Sequence, residues 1–150
     1  MQLASELTEP QIVKLALEMC GTYALDLAEP SSMFDFSDLL DDDSDICKRP
    51  APTSATKLKA YAKRLLTPNS RAASTHFLRY VVDGSASPRE TALYMLLCMP
   101  PRFGGYGLAM PELNRRIELS EAEQLMVGAH HFDCDLYWDG RNPVAVEYDS

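Results

Sequence analysis

The closing stretch FDCDLYWDGRNPVAVEYDS constrains the fold more than any other part of the chain. Two apolar-rich runs flank DGRNP, a cluster of turn-forming residues, and this pattern predicts an antiparallel hairpin. Side chains alternate across a strand. Asp133 and Asp135 therefore share one face of the first run, and Glu147 and Asp149 share one face of the second. If the runs pair through the turn, Asp135 can lie near Glu147.

A third apolar–polar run, NRRIEL, precedes the hairpin and is joined to it by the short, partly polar SEAEQLMVGAHH. Everything before residue 100 reads as helix or loop. Leu3, Leu7, Ile12, Leu15, Ala16 and Met19 recur at helical spacing, with Thr8 as a cap, Pro10 in the first turn and Gly21 as a stop. Thr53 or Ser54 can cap TKLKAYAKRLL, which ends before Pro68 because proline disfavours helix in the residue preceding it. NSRAASTHFLRYVVD follows. Ser87 then opens PRETALYMLLCM, with Pro88 at the first helical position and Glu90 at the third, the pattern of a capping box. The second half of that helix is apolar nearly all round and should lie deep in a core. RFGGYGLAMPELN is a glycine-rich connector without the lysine of a phosphate loop. The expected fold is α+β: a helical region over 1–69, then an α-β-β-β unit over 70–150 ending in a three-stranded antiparallel meander.

At 150 residues the chain is long enough for a compact core. Its formal charge of −8 argues against a protein that coats nucleic acid by bulk charge. That charge still allows a nucleic-acid enzyme whose acidic site is neutralised by metal. Six aspartates crowd between Asp35 and Asp45 within a Ser- and Pro-rich segment over 26–52. The run lacks the glycine and distal glutamate of an EF-hand, so a solvated acidic loop is the expectation. Cys20, Cys47, Cys98 and Cys134 have no zinc spacing and read as free thiols in a cytoplasmic protein. No apolar run approaches the roughly 20 residues that span a bilayer.

Converging carboxylates at a sheet end are unfavourable unless a positive charge lies between them. A hard divalent cation such as magnesium, which takes oxygen ligands, can fill that place. Solvated acidic residues on a hairpin face produce the same spacing, so spacing alone leaves both readings open.

The order of parts is more specific than any one motif. SPRETALYMLL, GGYGL, a strand, CDLYW and VAVEYDS together resemble the PD-(D/E)XK nuclease superfamily, in the branch related to very-short-patch repair endonucleases. The resemblance covers about residues 70–150. It implies an incomplete restriction-endonuclease-like core and magnesium- or manganese-dependent hydrolysis of DNA phosphodiesters. Glu90 takes the place of the glutamate on the first core helix. Asp135 and Glu147 take those of the two metal-binding acidic residues. Asp149 stands where many members carry the catalytic lysine. Members with aspartate there draw on a histidine beyond this strand, whereas His130 and His131 precede it. The superfamily core continues with a crossover helix and further strands. A piece of a longer nuclease-like protein, with little activity by itself, is therefore expected. A protein partner covering the open sheet edge is a further expectation. The alternative is a non-catalytic nucleic-acid-binding or regulatory module on the same scaffold, for instance in a defence or abortive-infection setting. The basic residues Lys57, Lys59, Lys63 and Arg64 would then offer a contact face.

Overall fold

A computed structural model describes residues 7–25, 46–64 and 68–148. The class is α+β, as the sequence predicts. Two compact units divide the chain, Met1–Leu108 and Ala109–Ser150. The division falls after Leu108, whereas the sequence reading placed a boundary at residue 69. Helices on both sides of residue 69 pack on the first helix and share its core, which accounts for the difference.

The first unit opens with α1 (Glu9–Cys20). Its start is fixed by Gln11, whose Oε1 accepts both the Thr8 backbone N–H at 2.8 Å and the Thr8 hydroxyl at 2.9 Å. Its end follows from the demand that terminal carbonyls find donors. Arg49 donates to Glu18 O, Thr53 N–H to Met19 O and Gly84 N–H to Cys20 O. Gly21 follows the last turn in extended conformation, and a side chain there would meet Ser85 O at 2.9 Å. Two short strands follow, β1 (Tyr23–Leu25) and β2 (Ile46–Lys48), paired antiparallel. The sequence reading placed residues 46–48 in the acidic loop, whereas they form a ladder with 23–25. Residues 26–45 of that loop lie outside the described residues.

Helix α2 (Ala55–Lys63) is capped by Ser54, whose side chain accepts from Lys57 N–H. Asp83 adds a carboxylate at the same end, accepting from Ala55 N–H at 2.7 Å. Such a charge is favourable where helix N–H groups are exposed. Helix α3 (Pro68–Leu78) comes next, followed by α4 (Pro88–Cys98). No residue of α4 is exposed, in keeping with its all-round apolar sequence. Val13, Leu17, Cys20, Tyr23, Val81, Tyr94, Met95, Cys98 and Met99 form the core of this unit. Beyond α4 the glycine-rich connector folds back. Tyr106 N–H and Leu108 N–H satisfy Leu96 O and Leu97 O, and Gly107 N–H satisfies Met99 O. Glycine is required at 105, where a Cβ would stand 2.1 Å from Met99 O.

The second unit is the predicted meander in the order β3-β4-β5. Its strands are β3 (Glu112–Glu118), β4 (His131–Trp138) and β5 (Val144–Val146). The link between β3 and β4 contains α5 (Glu121–Val127), which the sequence reading treated as connector. Ser120 and Glu123 form its capping box, with the Glu123 carboxylate accepting from both the Ser120 N–H and hydroxyl. Gly128 ends the helix in the left-handed region at φ 73°. Cys134 and Leu136, on one face of β4, form the buried centre of this unit.

Candidate functional site

The register of β4 and β5 decides where the candidate carboxylates stand. Trp138 is opposite Val144, Tyr137 opposite Ala145 and Leu136 opposite Val146. One step further along each chain lie Asp135 and Glu147, so the alternation that turns Leu136 inward sends Asp135 to the other face. Asp135 is half-buried and Glu147, just past β5, is exposed. Asp135 Oδ2 accepts the Tyr148 backbone N–H at 2.6 Å, which ties the end of the last strand to the carboxylate. Both acidic groups make themselves felt at Cys134. Burial pushes that thiol's pKa up first, and the negative charges of Glu147 and Asp135 push it further.

Asp135 also faces an irregularity on its other side. The β3–β4 ladder pairs Leu113 with Leu136 and Arg115 with Cys134, but it skips the Asn114–Asp135 pair between them. Asn114 adopts φ 49°, a left-handed conformation that asparagine tolerates better than most residues.

Asp133 is engaged differently from Asp135. Arg116, directly across the ladder, holds it with two hydrogen bonds of 2.9 and 3.3 Å. The Arg116 bond keeps the Asp133 carboxyl below the ordinary carboxylate range, and His131, 3.6 Å away, acts in the same direction. His130 pairs through Nδ1 with Gln124 Oε1 at 2.8 Å. The two histidines therefore make contacts within the strand-and-helix link.

Glu90 belongs to the first compact unit, whereas Asp135 and Glu147 belong to the second. It is 8% exposed, and its Oε2 accepts the Ala86 N–H at 2.9 Å while its own N–H goes to Ser87 Oγ. That is helix-capping work, of the kind its place in SPRE forecasts. Asp149 lies outside the described residues. Among the described residues, no group of three or more His, Cys, Asp or Glu side chains could jointly hold a metal ion. Asp135 and Glu147 supply oxygen donors of the right hardness for magnesium. That ion commonly uses one or two carboxylates and completes its shell with waters and substrate phosphates.

The sequence reading missed the Tyr148 N–H as a partner of Asp135, since a backbone donor leaves no residue signature. No protein-family model, curated protein or solved structure matches the chain. Among the described residues no helix is long and apolar enough to cross a membrane.

Proposed function

We propose that the chain is part of a metal-dependent nuclease-like protein that hydrolyses DNA phosphodiesters, with Asp135 and Glu147 holding a magnesium or manganese ion. The observation that supports this reading is the β4–β5 register, in which Leu136 faces Val146 and Asp135 and Glu147 are the next residues along each chain. When bound, such a cation polarises a phosphodiester and lowers the pKa of a water for attack. The chain's own residues hold and orient. Tyr148 N–H fixes the direction of the Asp135 carboxylate, the kind of support that ligating carboxylates need. Burial first, and then the two carboxylates, push the Cys134 thiol's pKa up.

Manganese titrated into the purified protein should broaden the backbone signals around Asp135 and Tyr148. Asp135→Asn and Glu147→Gln should each remove that broadening, and magnesium-dependent nicking of plasmid DNA should fall with it. Manganese broadening around Asp135 that persists at wild-type strength in both variants would refute the assignment.

A second reading rests on Glu90, whose carboxylate is buried and occupied in capping α4. On that reading the scaffold binds nucleic acid without cutting it. DNA binding that is insensitive to divalent ions and to both substitutions would favour this alternative.

A further inference from the structure

Helices α2 and α3 enclose a cleft of about 330 Å³ between them, lined by Lys59, Ala62, Lys63, Thr75, Leu78 and Arg79. The lining follows from helical spacing. Residues 59, 62 and 63 on α2, and 75, 78 and 79 on and just past α3, fall at i, i+3 and i+4, so each set shares one face. Ala62 and Leu78 give the cleft an apolar floor. Three cations and one hydroxyl stand around it.

Two of these cations are held by neutral partners. Lys59 Nζ donates one of its three N–H groups to Val81 O at 3.0 Å. Arg79 lies over the Tyr80 ring, 4.6 Å from its centroid, and donates to the Tyr80 hydroxyl at 2.5 Å. Lys63 is exposed at the rim. Among the described residues no carboxylate forms an ion pair with any of the three. Three cationic residues along one cleft make the local potential positive, although the chain as a whole carries a charge of −8. Its net charge opposes a long polyanion more than a small one. The volume falls within the usual range of small-molecule clefts, about 300–1,000 Å³.

The geometry points to a small organic phosphate as the ligand of this cleft. Its phosphate would be held by Lys59, Lys63, Arg79 and Thr75, and its apolar body would rest on Ala62 and Leu78. Lysine, arginine and hydroxyl donors suit phosphate oxygens through charge-assisted hydrogen bonds. The floor supplies what inorganic phosphate alone cannot use. This site lies within the first compact unit and is independent of the carboxylate pair on β4 and β5.

Adenosine monophosphate is a suitable probe, followed by backbone amide shifts and calorimetry on the whole chain. It should perturb the amides of 59–63 and 75–79, with inorganic phosphate binding more weakly and adenosine not at all. Lys63→Glu and Arg79→Glu should each weaken binding about tenfold or more, the scale of one charge-assisted hydrogen bond. Both side chains are exposed, so an unchanged circular dichroism spectrum would establish that the variants fold. Lys57→Glu, on the same helix but outside the cleft, should leave the affinity unaltered. The proposal is overturned by the absence of AMP binding or by wild-type affinity in the two cleft variants. Inorganic phosphate binding as tightly as AMP, or an oligonucleotide binding where AMP does not, would also overturn it.

Discussion

Thr91 is the middle link of a buried hydroxyl chain, and replacing it with valine tests how much that chain stabilises the first unit. Tyr23 Oη lies 3.0 Å from Thr91 Oγ1, which lies 2.7 Å from Ser85 Oγ, and Ser85 donates onward to Ser87 O at 3.1 Å. The last step spends the Ser85 proton on a carbonyl. Ser85 must then accept from Thr91, and Thr91 must accept from Tyr23. Tyr23, Thr91 and Ser85 are at most 1% exposed, so water cannot replace a lost partner. Thr91→Val keeps the shape of the side chain but strands the Tyr23 O–H. An orphaned buried donor costs about 1–3 kcal/mol. For a unit of this size, each kcal/mol lowers the melting temperature by about 4–8 °C. Tyr23→Phe leaves the Thr91–Ser85 bond intact and should cost nearer to about 1 kcal/mol. In the double variant no donor is stranded, so its loss should fall short of the sum of the singles by about 0.5 kcal/mol or more. Urea unfolding of the four proteins measures this directly. A Thr91→Val variant within about 0.5 kcal/mol of wild type, the range of an ordinary surface change, would refute the assigned donor order. So would strict additivity.

The Asp133 carboxyl is held down first by its hydrogen bond from Arg116, so its titration midpoint should lie below an ordinary aspartate's and rise in Arg116→Ala. Because the folded pKa is depressed, this contribution is present above the ordinary value of about 3.9 and is lost as pH falls through the lowered one, as carboxylate-resolved NMR can follow. Thiol labelling should separate the cysteines: Cys47 is exposed and should react quickly at pH 8. Cys20 and Cys98, each pushed up to about 11 chiefly by burial, should react only on unfolding, and fast modification of either in the folded protein would contradict the core described.

Local chemistry made much of this fold legible. Thr8 with Pro10, Ser54, and Ser87 with Pro88 and Glu90 mark helix starts by side chains that act within three or four residues, and each helix begins there. The meander was legible because the turn residues DGRNP fix which strand residues face each other. The β1–β2 ladder was not, since three-residue strands are too short for alternation to register and residues 26–45 separate the partners. Helix α5 was hidden for another reason. Leu125, Met126 and Val127 are consecutive and highly exposed, so no periodic apolar face announces it, although Ser120 and Glu123 carried a capping signal. The boundary after Leu108 depends on distant contacts such as Tyr23 with Thr91, which no local pattern encodes. For the candidate site, alternation put Asp135 and Glu147 on the same side of a hairpin. It did not disclose that Asp133 is claimed by Arg116, because that pairing depends on the β3 register.

Trp138 is the chain's single tryptophan, and its indole N–H donates to Ala109 O within the second unit. The buried tyrosines Tyr23 and Tyr94 both belong to the first. The single tryptophan thus reports on the second unit, and five of the seven tyrosines report on the first. Tryptophan emission on heating follows the meander alone, while tyrosine absorbance weights the helical unit. Coincident or separate transitions at the two wavelengths reveal whether the halves unfold together, with no label added.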